Sequence, residues 1–428
     1  MGHHVSSSEQ QQRGVLSSLA LLVFFWSTRS ALGLSTHPPR KRPRAEPYKK
    51  RRSLHRGVPA LEKGRLDRGV HEVYYQVHGT RSKPMALFLH GGPGAGCVER
   101  HAQFFDPKKW RVALVDQRGC GKSTPDAPLE ENSTPYLVED LEALRNHLLG
   151  DEPWACVLGG SWGTTLALAY AQAYPTSTRS VLLRAVCAMR TKEIRWLFSP
   201  DGGAASLAPQ AWRHFAQFAY DYKGVVLAVQ EDDQGGAKGI LLGEEDTAAA
   251  KESDDPDFVL NAYHEALTGD DERARAAASR NWLSWEMAAS AGGQASRGPV
   301  RVFHGGQHPQ KPSGKKTRDA SSTTKYSRQA LLTCHYSVHR GFFDEGDSVL
   351  RQSKVDAIRH IPAIAVQGAA DHICPPTTAF ELHTKWPELE LRLVPGAGHS
   401  HYDRDITHEL VSATDAILEK IDAAPEFI

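Results

Sequence analysis

The stretch Ala155-Cys-Val-Leu-Gly-Gly-Ser161-Trp-Gly-Thr-Thr-Leu-Ala-Leu-Ala-Tyr-Ala-Gln-Ala-Tyr-Pro175 decides the fold. It opens with a short apolar run, Cys156–Leu158. It then passes through Gly159-Gly160-Ser161-Trp162-Gly163 and continues as an alanine- and leucine-rich helical pattern that Pro175 closes. A strand, a glycine turn with serine at its apex and a helix make a nucleophile elbow. The turn must be sharp so that the hydroxyl points out of the sheet. Glycines at 159 and 163 let neighbouring backbone pack against it. The helix that follows aims its N-terminus at developing negative charge.

The same pattern repeats outward from this point. Met85–Leu89 stops at His90-Gly91-Gly92-Pro93-Gly94, and Val112–Val115 stops at Asp116-Gln117-Arg118-Gly119. Further apolar runs lie at Val181–Leu183, Ile364–Val366 and Leu391–Val394. Short apolar runs that end in glycine-rich turns read as buried parallel strands. Between them, Leu137, Leu141, Leu144 and Leu148 repeat at helical spacing, and Leu410–Ile421 reads as a last helix. Val70–Val77 reads as the start of a hairpin and as the first strand. The expected class is α/β with a mostly parallel central sheet. The middle, rich in Trp and Phe at helical spacing, reads as an inserted helical cap.

The expected organisation is therefore a signal peptide over 1–33, then a basic disordered or transit-like segment over 34–56. The first part of the core covers 57–190, the cap 191–355 and the second part of the core 356–428. Two stretches in the cap, 231–257 and 289–325, look disordered by composition. The apolar run Val15–Trp26 has the length of a signal-peptide core and is too short to span a bilayer. The mature chain is expected to have no stable membrane insertion, and the leader points to the secretory pathway or a plastid, otherwise the cytoplasm. Nine basic residues between Arg40 and Arg56 face Glu46 alone, so the net charge of +1 conceals an acidic body from Gly57 onward. An acidic body does not suit nucleic acid. The six cysteines form no C-x-x-C pair and read as free, mostly buried thiols.

Partners for Ser161 follow in the order Ser, Asp, His that this elbow uses. Asp371 follows Ile361-Pro-Ala-Ile-Ala-Val-Gln-Gly-Ala-Ala, and His399 follows Leu391-Arg-Leu-Val-Pro-Gly-Ala-Gly. Both sit just beyond the C-terminal ends of strands, where an open α/β sheet places its ligands. His399 would act as general base and Asp371 would hold its tautomer. His401 lacks the preceding glycine turn, His372 adjoins Asp371, and Asp403 and Asp405 lie past the histidine. The backbone N–H groups of Gly92, or of its neighbour Gly91, and of Trp162 would form the oxyanion hole. No cofactor and no metal is expected; Gly121-Lys-Ser-Thr lacks the first glycine of a phosphate loop, because Asp116 stands there.

His90-Gly-Gly-Pro-Gly, Asp116-Gln-Arg-Gly-Cys-Gly-Lys-Ser-Thr124 and the elbow together resemble proline iminopeptidases (prolyl aminopeptidases), over about residues 60–225 and 270–405. In the cap, Leu182–Trp196, Asn281-Trp-Leu-Ser-Trp-Glu286 and Cys334-His-Tyr-Ser-Val-His-Arg-Gly-Phe-Phe343 resemble segments of the same family. The resemblance implies the α/β-hydrolase fold. It also implies a metal-free serine aminopeptidase that removes N-terminal proline from a peptide with a free N-terminus. Acidic cap groups would hold the amine and aromatic groups would pack on the proline ring. Glu286 keeps one such carboxylate. Thr333 stands where the family's second glutamate falls, and Ser337 and Cys187 stand where it has phenylalanines. This implies a wider pocket and weaker preference for proline, unless Glu265, Asp270 or Asp271 supplies the second carboxylate. An esterase or small-amide hydrolase on the same triad is the alternative reading; a scaffold without turnover would not need all three triad residues. Oligomeric state is not legible.

Overall fold

The computed structural model describes residues 51–225, 227–231, 237–242, 255–291, 320–344 and 346–423. An eight-stranded sheet runs through the body in the order β1-β2-β4-β3-β5-β6-β9-β10. Its strands are β1 (Glu62–Arg68), β2 (His71–Gly79), β3 (Met85–Leu89), β4 (Arg111–Val115), β5 (Cys156–Gly160), β6 (Val181–Arg184), β9 (Ala363–Gly368) and β10 (Glu390–Val394). β2 pairs antiparallel with β1 and β4, and all other neighbours are parallel.

The central strands are buried on both faces, which is why they read as unbroken apolar runs. Their side chains alternate between two cores. Leu87, Leu89, Val157, Val181 and Leu183 face one side, where helices α1 (Thr134–Leu149) and α2 (Trp162–Ala173) contribute Leu137, Leu141, Leu144 and Leu166. Phe88, Val112, Leu114, Leu158, Leu182, Ile364 and Val366 face the other, against Ile406, Leu410 and Ile417 of the last helix, Arg404–Ala423.

Between β6 and β9 lies a helical layer: α3 (Thr191–Phe198), α4 (Gly203–Leu207), α5 (Pro209–Lys223), α6 (Phe258–Thr268), α7 (Glu272–Ala291) and α8 (Ala320–Val338). Its core is aromatic. Phe215 stacks on Tyr263 at 4.3 Å between ring centroids, Phe198 on Trp282 at 4.7 Å, and Trp212 meets Trp285 edge-on at 5.3 Å. Among the described residues no helix is long and apolar enough to cross a membrane.

Four expectations need correction. The first strand is Glu62–Arg68, not the run at Val70–Val77, which is the second arm of the hairpin. Its sequence, Glu-Lys-Gly-Arg-Leu-Asp-Arg, hides it: an edge strand carries charge on its exposed positions, which blunts edge-to-edge pairing but erases the apolar signal. The stretch 231–257 is not all loop, because Leu227–Glu231 (β7) pairs antiparallel with Ala237–Leu242 (β8). The stretch 289–325 begins inside α7 and ends inside α8. The residues 1–50, 232–236, 243–254 and 292–319, on which the leader and the rest of the two stretches fall, lie outside the described residues.

The fourth correction concerns residues 51–56, expected to be disordered. Arg51 pairs with Asp405 at 3.0 Å, Arg52 pairs with Asp415, and the Arg52 N–H donates to His408 Nδ1 at 2.8 Å. The His55 N–H donates to the Gln103 carbonyl at 2.8 Å, and Leu54 packs on the second core. Each exposed ion pair contributes at most about 1 kcal/mol. A chain beginning at Gly57 is therefore expected to fold, but to lose about 1–2 kcal/mol against one beginning at Arg51. Their thermal midpoints should differ by a few degrees; identical midpoints would show that this arm contributes nothing.

Candidate active site

The elbow forms as its sequence demands. Ser161 sits between β5 and α2 at φ 56°, ψ −126°. A non-glycine residue rarely holds a positive φ, and such strain persists only where packing over-determines it. The packing is visible at the two glycines. A Cβ on Gly159 would lie 2.0 Å from the Gly163 carbonyl oxygen, and one on Gly163 would lie 2.4 Å from that of Leu89. Neither position admits a side chain.

His399 Nδ1 lies 2.9 Å and 3.0 Å from the two carboxylate oxygens of Asp371. That carboxylate is fully buried, and one of its oxygens also accepts the N–H groups of Ile373 and Cys374 at 2.9 Å. Acceptors on Nδ1 place the imidazole proton there, so Nε2 carries the lone pair. Arg184 Nη1 donates to the His399 carbonyl at 2.8 Å and fixes the loop that carries the ring. The competing residues are engaged elsewhere. Asp405 pairs with Arg51, Asp403 accepts the Asp405 N–H at 2.9 Å, and His372 does not line the cavity that Ser161 and His399 share. His401 is half-buried against His101 and Tyr402, and this loss of solvent holds it well below the usual histidine range.

One cavity of about 170 Å³ collects the candidate residues: Ser161, His399, Gly92, Trp162, Glu286, Thr333, Ser337 and Cys187 all line it, with Asp371 behind His399. Pockets for drug-sized ligands run to roughly 300–1,000 Å³, so this one suits a single residue. Gly92 lines the cavity and Gly91 does not; Gly91 packs on Ser161 instead, where a Cβ would come within 3.2 Å of the serine Cβ. Trp162 is the first residue of α2, so its N–H has no acceptor within the helix.

Three motif loops are tied together here by a residue the sequence did not single out. Gln117 accepts Trp162 Nε1 at 2.9 Å, donates to the His90 carbonyl at 3.0 Å, and gives its own backbone N–H to His90 Nε2 at 3.2 Å. The signal was present in Asp116-Gln-Arg-Gly, but only spatial contact shows its purpose.

Glu286 faces the cavity from α7. It accepts Trp282 Nε1 at 2.9 Å and Gln329 Nε2 at 3.0 Å, both neutral donors, and has no ion-pair partner among the described residues. Burial pushes its carboxyl up to about 7, against the pull of those two hydrogen bonds. Gln329 lies one helical turn before Thr333, whose hydroxyl is turned away and donates to the Pro93 carbonyl at 2.9 Å. The alternative second carboxylates do not reach the cavity. Glu265 pairs with Lys223 at 2.8 Å, Asp271 caps the backbone of α7, and Asp270 is exposed. The cavity's other carboxylate is Glu193, which is compensated by Arg190 and accepts the Thr378 hydroxyl at 3.0 Å.

Aromatic rings that the cap motifs did not single out also face the cavity. Phe198 and Trp285 line it, with Met189, Ile194 and Leu197. Where family phenylalanines would stand, Cys187 brings its thiol within hydrogen-bonding reach of Cys374, whose sulfur lies 3.9 Å from Ser161 Oγ. All six cysteines are free, four of them buried.

The raised carboxyl of Glu286 has a measurable consequence. Between pH ~4.5 and ~7 the folded chain binds more protons there than the unfolded chain, so stability falls as pH rises through that window. Glu286→Gln is expected to leave the thermal midpoint of the ligand-free protein unchanged near pH 4.5. At pH 8 it should raise stability by an amount on the order of 2–3 kcal/mol. A variant less stable than wild type at pH 8 would contradict the assignment of an uncompensated, half-buried charge.

The comparisons agree with this geometry. A sequence model described as "alpha/beta hydrolase fold" matches residues 86–228. A "Probable proline iminopeptidase" of Leptolyngbya boryana is 37% identical over 85% of this chain and 96% of its own length. Proline iminopeptidases of Arabidopsis thaliana and Xanthomonas citri are 36% and 34% identical, over 87% and 85% of this chain and 83% and 99% of their own lengths. With relatives this similar spanning nearly their whole lengths, the chain belongs to the proline iminopeptidase family, on the α/β-hydrolase fold.

Proposed function

We propose that this protein is a serine aminopeptidase that releases an N-terminal residue, preferentially proline, from peptides through an acyl-enzyme. The observation that carries this reading is Glu286, an uncompensated carboxylate facing the same residue-sized cavity as Ser161. An exopeptidase must hold a charged amine at a fixed distance from the scissile carbonyl. A carboxylate in a partly dry pocket does so by a charge-assisted hydrogen bond, and the arriving cation restores the ionised form that burial disfavours.

The steps follow from the placement of the groups. The substrate amine pairs with Glu286 while its first side chain packs against Phe198 and Trp285. Ser161 Oγ attacks the carbonyl carbon, and His399 Nε2 takes the hydroxyl proton. The Gly92 and Trp162 N–H groups receive the charge on the carbonyl oxygen. Asp371 stabilises the imidazolium. The imidazolium then gives its proton to the leaving peptide nitrogen, the C–N bond breaks, and water repeats the sequence on the ester to free the amino acid. No metal enters these steps.

Two tests separate this reading from an esterase on the same triad. Ser161→Ala should keep its fold and retain under about one per cent of turnover toward any substrate of the wild type. The second test compares kcat/KM for Pro-, Ala- and Leu-anilide with that for acetyl-Pro-anilide and a simple acyl ester. Pro-anilide should lead, and Glu286→Gln should reduce its kcat/KM roughly ten- to a hundredfold, the worth of one charge-assisted hydrogen bond. Faster turnover of the acetylated substrate or the ester than of Pro-anilide would favour the esterase.

A further inference from the structure

Away from the catalytic cavity, three histidines converge on the helical layer. His264 lies on α6, His335 lies in the last turn of α8, and His339 follows just past the end of that helix. One ligand nitrogen from each lies within 4.8 Å of the other two. The rings sit face to edge or stacked, with centroids 4.6 Å apart for His335–His339, 5.8 Å for His264–His339 and 6.1 Å for His264–His335.

The hydrogen bonding is unusual for a packing cluster. His335 is buried; a weak contact with the Asn132 backbone reaches its ring, but neither ring nitrogen makes a hydrogen bond of good geometry, and His264 Nε2 is likewise buried and without a partner. Buried polar atoms nearly always find partners, and each orphan costs about 1–3 kcal/mol. His339 is held in a ligand-ready tautomer. Its Nδ1 donates to the His335 carbonyl at 2.8 Å, which leaves Nε2 as the lone pair, and Phe342 stacks on its ring at 4.7 Å. A backbone carbonyl on one imidazole nitrogen is the usual support for a metal on the other.

We propose that His264, His335 and His339 form a binding site for a divalent first-row transition metal, foremost Zn²⁺. Three neutral imidazoles suit Zn²⁺, with Cu²⁺ and Ni²⁺ as competitors. Tetrahedral Zn–N bonds of about 2.0–2.1 Å set ligand nitrogens about 3.4 Å apart, so small ring rotations close the observed spacing. His339 is exposed, which gives the ion a route in and leaves a fourth position for water. The ion would clamp α6 to α8, the helix whose Gln329, Thr333 and Ser337 line the catalytic cavity.

The test uses the full-length chain stripped with chelator, titrated with Zn²⁺ against a chromogenic competitor, and with Co²⁺ as a spectroscopic probe. The wild type should bind an equivalent of Zn²⁺, rise in thermal midpoint with it, and give a Co²⁺ absorption of tetrahedral intensity. His264→Gln and His339→Gln should each lose the midpoint rise and the Co²⁺ band while keeping the metal-free midpoint. His339 is exposed, so that variant is expected to fold whatever the outcome at His264. A wild type with neither response, or responses that survive both substitutions as metal held by the Cys187–Cys374 thiols or the N-terminal histidines would, overturns the proposal.

Discussion

The strained backbone at Ser161 is the constraint on which the other features depend. A positive φ at a serine is tolerated only because β5 delivers the chain into a gap that Gly159 and Gly163 leave open, against the carbonyls of Gly163 and Leu89. That gap brings the end of β3 close enough for Gly91 to touch the serine, and it turns the first N–H of α2 toward the same point. Gln117 then locks the third loop to the other two. Any side chain at either glycine would separate these loops before it affected the core.

The helical layer supplies what the sheet cannot. The sheet end offers an attacking hydroxyl and a proton acceptor, which serve any acyl group. The helices close over them with Glu286, Phe198 and Trp285, which line the same cavity, and in the proposed reading these set the charge and the size of what can enter. Glu286 is held against its own preference. Its two hydrogen bonds come from neutral donors, so its charge is solvated just enough to be structured and too little to be comfortable. A carboxylate so placed gains more from a cation than one already paired, as Glu193 is with Arg190.

The parts of the molecule legible in the sequence are those where a local pattern and a global role coincide. Buried parallel strands read as apolar runs, and the residues after them, Ser161, Asp371 and His399, stand beside turns that the chain must spell with glycine. The cap motifs led to Glu286, Thr333, Ser337 and Cys187, which do meet at one cavity. What was not legible depends on distant contacts. β1 is an edge strand whose charges erase its periodicity. Residues 51–56 look like the basic tail they continue, and only Asp405 and Asp415, more than three hundred residues away, give them a place. Phe198 and Trp285 belong to helices whose apolar faces could equally have been core. Gln329 gives no sign of its role until α8 is seen beside α7.

The pairing of β6 with β9 brings Val181 beside Ala363 across the whole helical layer. On the ribosome this leaves β6, apolar but for Arg184, as the unpaired border of an incomplete sheet while the intervening helices are being made. Such a border invites strand addition by any neighbouring chain. The residues that seal it, in β9 and β10, are also those that deliver Asp371 and His399. The nascent chain is thus most adhesive before β9 and β10 are made, and the stretch that ends the aggregation hazard is the one that carries Asp371 and His399 to Ser161.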